Sequence, residues 1–204
     1  MKQKFFTILI TVFTVIVFAG CGDRIVVDIE WYVPDIPDNI SSGVVINGVR
    51  WATRNVDSPG TFTDAPESFG SHFQWNRGEW QDYWGNFVTE WTRENDPCPQ
   101  GWRVPTSNEL HSLINSMPRW VNVNGVYGML FGTAPNYLFL PFAGFRNTHG
   151  TITDVGNSGN YWSNRFDLVN GAMGLTIFRG HGWGWQPNNP ANGFSVRCVS
   201  VTVW

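Results

Sequence analysis

The sequence predicts an α+β domain with few helices and long irregular loops. Three observations carry this. Asn-Gly stands between two apolar runs twice, at Asn47-Gly48 and Asn124-Gly125, and that arrangement is the strongest short hairpin signal, a type I′ turn. One stretch, opening at Thr106, has a helix start followed by an apolar period near 3.6 residues. Elsewhere short apolar runs are punctuated by Gly and Asn, with 22 glycines in 204 residues.

Residues 1–20 read as a processing signal. Lys2 and Lys4 make a basic start, and Phe5 to Phe18 is an apolar stretch too short for a comfortable membrane span. It ends Val17-Phe18-Ala19-Gly20-Cys21. Small residues directly before a cysteine resemble a bacterial lipobox, where cleavage precedes the cysteine and acyl chains are attached to it. The expectation is lipidation at Cys21 and a lipid-anchored protein of the outer membrane, exposed at the cell surface. The plainer alternative is a soluble secreted protein cut near Ala19. Several acyl chains hold far more firmly than one, at roughly 0.8 kcal/mol per buried methylene. Residues 21–42 then read as a lipidated tether, with Pro34, Pro37 and Ser41-Ser42-Gly43, although Ile25-Val26-Val27 and Trp31-Tyr32 are apolar enough for a strand.

The domain proper spans residues 43–204 and opens with the first hairpin, Val44 to Trp51. Strand candidates follow at Phe73 to Trp75, around the second Asn-Gly, and at Tyr137 to Phe142, Tyr161 to Ser163, Leu175 to Phe178 and Phe194 to Val201. Between them, Thr106 and Glu109 have the spacing of a capping box, in which the hydroxyl and the carboxylate each satisfy a backbone N–H at the helix start. Leu110, Leu113, Ile114 and Met117 then form one apolar stripe, and Pro118 ends the helix. Glu109 has the type of a catalytic acid, but the cap accounts for it better.

Three cysteines is an odd number for an exported chain. The lipobox removes Cys21 and leaves Cys98 and Cys198, which a disulfide would join outside the cytoplasm. Two buried free thiols are the alternative. No His sits at ligand spacing from either cysteine, so metal is not expected there.

Composition narrows the function. Both lysines lie in the signal, leaving eleven arginines against sixteen acids in a chain of net charge −3. Without a basic patch, nucleic acid is not an expected partner. All twelve tryptophans follow the signal, which is too aromatic for disorder, and about 160 residues suffice for one well-filled domain.

Five blocks carry a family resemblance: Asn47-Gly48-Val49-Arg50-Trp51-Ala52-Thr53-Arg54-Asn55-Val56, the run Cys98-Pro99-Gln100-Gly101-Trp102-Arg103-Val104-Pro105-Thr106 to Glu109, Phe139-Leu140-Pro141-Phe142-Ala143-Gly144-Phe145-Arg146-Asn147, Gly159-Asn160-Tyr161-Trp162-Ser163, and Asn192-Gly193-Phe194-Ser195-Val196-Arg197-Cys198-Val199. In this order they resemble the Fibrobacter succinogenes major paralogous domain, found in surface and secreted proteins of Bacteroidetes and Fibrobacteres. The resemblance implies a C-type lectin-like fold, with two small antiparallel sheets, few helices and long ligand loops, and a surface address. It implies no settled activity. The Arg103 to Glu109 run also resembles the helix start of the formylglycine-generating group on that fold, but its reactive cysteines have no counterpart once Cys98 and Cys198 pair.

Candidate sites are few. Gln186-Pro187-Asn188-Asn189 and Trp162-Ser163-Asn164 resemble the calcium loop and strand of C-type lectins, but in reversed order and without the acid calcium needs. Neither metal nor cofactor is expected. Gly180 to Asn189 reads as the recognition loop, with Trp183, Trp185, Gln186, Asn188 and Asn189 as tentative ligand contacts, since glycines admit a partner close to backbone and tryptophans stack on sugar faces. The alternative makes Trp183 and Trp185, two apart, one inward face of a strand. His72, His111, His149 and His181 read as scattered surface or capped residues. No phosphate loop, nucleophile elbow or carboxylate pair stands out, so catalysis is not expected. The expectation is a non-catalytic recognition or adhesion protein binding a glycan or a surface protein. The runner-up is a structural part of a surface assembly such as a fimbrial tip or envelope complex.

Overall fold

Both Asn-Gly hairpins form as the sequence predicts: Asn47 and Gly48 take φ of 50° and 79°, and Asn124 and Gly125 take 51° and 88°, the two left-handed residues that a type I′ turn requires. The computed structural model describes residues 36, 38, 43–77, 91–169, 171–180 and 182–201. The lipobox, Cys21 and most of the tether lie outside the described residues. Ile36, within the segment read as tether, packs against the Val121, Leu130 and Phe139 cluster, and Asp38 receives a two-pronged contact from Arg54.

In chain order the elements are β1 (Val44–Ile46), β2 (Val49–Trp51), β3 (Phe73–Gln74), a 3-10 turn (Arg93–Asn95), β4 (Trp102–Arg103), α1 (Ser107–Ile114), β5 (Arg119–Val123), β6 (Val126–Thr133), β7 (Asn136–Pro141), β8 (Phe145–Arg146), β9 (Ile152–Thr153), β10 (Ser158–Asp167), β11 (Gly171–Phe178), β12 (Gly182–Asn188), β13 (Gly193–Phe194) and β14 (Val199–Ser200). They pair as four antiparallel sheets: β1-β2-β14-β4, β10-β11-β12, β3-β13-β8-β9 and β5-β6-β7.

The expected α+β class is therefore corrected. One eight-residue helix stands among fourteen strands in the described residues, and the domain is mostly β. The two-sheet lectin-like arrangement falls with it, because four sheets of three or four strands are present. The physical reason is strand length. Six strands have two residues each, too short to show an alternating pattern, and all of them but β9 pair with a distant segment. Phe194 to Val201 is likewise not one strand but two short pieces, β13 and β14, separated by Ser195 to Cys198.

The β10–β11 ribbon organises the interior. Tyr161, Leu175 and Ile177 enter one cluster with Trp51, Leu110, Leu113 and Phe131, whereas Trp162 and Ala172 enter a second with Phe73, Trp75, Phe194 and Val196. Side chains alternate between faces along a strand, so a ribbon carrying large apolar residues at successive positions is buried on both sides. Trp162 stacks on Phe194 with ring centroids 3.9 Å apart, and its indole N–H donates to Phe73 O at 2.6 Å.

The helix is shorter than its stripe. Thr106 and Glu109 form the full capping box, and Leu110, Leu113 and Ile114 are buried as expected. Met117 is not: α1 ends at Ile114, and Met117 has φ of 54° and is 70% exposed. Ser116 closes the end instead, its hydroxyl donating to Leu113 O at 2.6 Å and its carbonyl accepting from Gly132 N at 3.1 Å.

Candidate functional site

The cysteines of the domain meet. Cys98 and Cys198 form a disulfide with Cα atoms 6.0 Å apart and 100 residues between them in sequence. Cys198 is fully buried, and its carbonyl accepts from Ala52 N at 2.9 Å. Cys98 sits in a turn held by Asp96, whose carboxylate accepts from Cys98 N at 2.9 Å and Val104 N at 3.0 Å. Burial raises the Asp96 pKa, with these two N–H groups and Arg103 opposing the rise. Each Asp96 oxygen thus takes one backbone donor, and the carboxylate fastens the end of β4 to the disulfide turn.

One residue further, Arg103 grips Glu109 with both prongs, at 2.9 and 2.7 Å. Burial alone would raise the Glu109 pKa, but the bonds from Arg103 and Thr106 outweigh it and hold the carboxyl below its ordinary value. Glu109 is a cap and an ion-pair partner, with both oxygens occupied.

Beside this turn lies an open groove made of two adjoining cavities that share Trp91 and Asn164 as a common wall. The first, about 520 Å³, is lined among others by Arg93, Asp96, Gln100, Trp102 and Arg103. The second, about 540 Å³, is lined by Thr106, Ser107, Asn108, Arg165 and Phe166. Both fall within the size range of small-molecule sites. The aromatic lining residues Trp91, Trp102 and Phe166 pack against the second core cluster. Trp75 meets Trp91 edge-on at 5.2 Å and Phe166 at a tilt of 54° and 5.1 Å, and its indole N–H donates to Ser163 O at 2.8 Å. Trp102 meets Phe62 edge-on at 5.8 Å. Trp91 and Trp102 are each half-buried, and Arg93, Gln100, Asn108 and Arg165 are exposed.

The five expected ligand contacts lie elsewhere. The stretch read as a recognition loop is largely strand β12, at the edge of the β10-β11-β12 sheet. Trp183 pairs with Ile177 and Trp185 with Leu175, so both tryptophans are on the face of the first core cluster. Trp185 is half-buried and packs against that cluster. Trp183 is 43% exposed and meets His111 of α1 edge-on at 6.3 Å. Gln186 and Asn188 belong to the opposite face, and Asn188 Nδ2 donates to Gln186 O at 3.0 Å. Asn189 Oδ1 accepts from Ala191 N at 2.9 Å. The five do not converge on one point, and the groove is built without any of them. Their spacing alone allowed either a loop or a strand; cross-strand pairing to β11 decides it.

In the calcium-like run Trp162-Ser163-Asn164, Trp162 and Ser163 are wholly buried, which leaves Asn164 at the groove. Among the described residues no group of three or more His, Cys, Asp or Glu is placed to hold a metal.

The histidine reading needs one correction. His111 and His149 are exposed and His181 is outside the described residues, but His72 is buried at 7% exposure, with its Nε2 3.1 Å from Ala143 O. Burial pushes its pKa down, and the nearby Arg146 charge adds to that. Sequence reasoning also passed over the groove residues Trp91, Arg93 and Arg165, for which no local pattern exists.

Comparison with protein families, curated proteins and solved structures finds no match for this chain.

Proposed function

We propose that this chain is a lipid-anchored cell-surface recognition protein, without catalysis, that binds a glycan in the groove between Trp91, Trp102 and Asn164. One observation carries this reading: two half-buried indoles and the planar amides of Gln100, Asn108 and Asn164 line the same open groove. Indole faces stack on the apolar faces of sugar rings, and amides hydrogen-bond their hydroxyls. The N-terminal lipobox pattern and the resemblance to a family of surface domains support the same address. Asp96, the acid lining the groove, is bonded to two backbone N–H groups, and Glu109 of the helix cap is held by Arg103 and Thr106, which supports binding over acid–base chemistry.

A structural role in a surface assembly is the second reading. Leu168 and Val169, at the β10–β11 turn, are 80% and 89% exposed, a pattern suited to cover by another protein chain.

A glycan array with the full chain tests the first reading. Binding to a defined saccharide set, weakened by Gln100→Ala and Asn108→Ala but not by Trp183→Ala, is the expected result. Both amide positions are exposed, so these variants retain the fold. Loss on Trp183→Ala with the groove variants unaffected would move the site to β12, and no saccharide binding at all would leave the assembly role.

A further inference from the structure

Most arginines among the described residues are engaged. Arg54 is held by Asp38 and Arg103 by Glu109. Arg119 and Arg179 lie over the rings of Tyr137 and Tyr127, Arg197 is bonded in the core, and Arg50, Arg77 and Arg146 have partners too. Among the described residues two guanidinium groups have no hydrogen bond, ion pair or ring contact, those of Arg93 and Arg165. Both are exposed, and both line the groove, Arg93 in one cavity and Arg165 in the other.

We infer that the groove takes an anionic saccharide, with Arg93 and Arg165 reading carboxylate or sulfate groups on sugar rings that stack against Trp91. This rests on the glycan-binding reading above. The physical argument is one of charge placement. Sixteen acidic residues outnumber thirteen basic ones in the chain, so chance placement would leave exposed arginines near acids. Here two stay unpaired, one in each of the two cavities that share Trp91. The single acid lining the first cavity, Asp96, already accepts two backbone N–H groups and stands beside Arg103. Guanidinium forks match the planar oxygen pair of a carboxylate and the tripod of a sulfate. Aromatic stacking adds what a purely charged peptide would not exploit.

The test uses the full chain in detergent and four probes: an oligogalacturonate, its methyl ester, a chondroitin sulfate fragment of similar length, and hexaglutamate. The expected result is that an acidic saccharide binds and the methyl ester binds at least about tenfold more weakly. Arg93→Gln and Arg165→Gln should each cost about tenfold, as for loss of one charge-assisted contact, and added salt should weaken binding because exposed charges are screened. Whether the uronate or the sulfated fragment binds tells carboxylate from sulfate. Equal binding of acid and methyl ester, lost in Gln100→Ala, would overturn the anionic specificity and leave glycan recognition standing. Hexaglutamate binding as tightly as the saccharides would overturn the inference in favour of charge alone. No binding of any saccharide would remove both.

Discussion

Arg197 Nε donates to Asn55 Oδ1 at 2.9 Å, joining two fully buried residues 142 positions apart. The same guanidinium donates from Nη1 to Thr53 O at 2.5 Å and Ala52 O at 3.4 Å. Among the described residues no carboxylate pairs with it; burial pushes its pKa down to about 10, with the Tyr161 hydroxyl group opposing the fall, so it remains charged at neutral pH. An amide and two carbonyls therefore hold a buried cation, and in doing so they lock the segment after β2 to the one before β14.

Removing the amide partner exposes how much this matters. Asn55→Ala should destabilise the domain by about 3 kcal/mol, the usual scale for breaking one side of a buried charged contact. Arg197→Lys should also be costly, since an ammonium cannot span the same acceptors. Urea denaturation of both variants checks this, and a loss below about 0.5 kcal/mol in each would mean that the arginine is carried by its carbonyls or by relaxation of the core.

The Cys98–Cys198 bond closes a loop of 100 residues. In the chain-entropy model this stabilises by roughly 4–5 kcal/mol. The paired variant Cys98→Ser/Cys198→Ser should lose most of that, read as a lower denaturation midpoint with and without reductant. Non-reducing mass spectrometry should recover the two linked peptides from protein taken from the cell envelope, and free thiols at both positions would contradict the bond.

His72 gives the domain a pH dependence of known sign. Its folded pKa lies below the ordinary 6.5, chiefly through burial, so the unfolded chain binds the proton more readily. Stability is then constant above about pH 6.5 and falls as pH drops through that value toward the folded pKa. His72→Gln should flatten this decline between pH 7 and 5.5 in thermal melts. An unchanged slope in the variant would assign it to other groups.

Cys21 lies outside the described residues, and its lipidation is tested in cells. Cys21→Ala should move the protein from the membrane pellet to the soluble fraction. Retention in the pellet at the level of the parent would end the lipid-anchor proposal.

Local chemistry was legible in the residues themselves. The two Asn-Gly turns, the Thr106–Glu109 capping box and the pairing of Cys98 with Cys198 each depend on a few residues or on cysteine parity, and each is present. Tertiary structure alone decided the rest. Two-residue strands such as β4 and β13 acquire their backbone partners from distant segments, so no window of sequence carries their pattern, and a chain that reads as mixed becomes mostly β. Trp183 and Trp185 fitted either a recognition loop or one face of a strand, and only pairing with Ile177 and Leu175 decided for the edge strand. The groove brings Trp91, Gln100 and Asn164 together from three separated segments, and convergence of that kind is a property of packing, not of spacing along the chain.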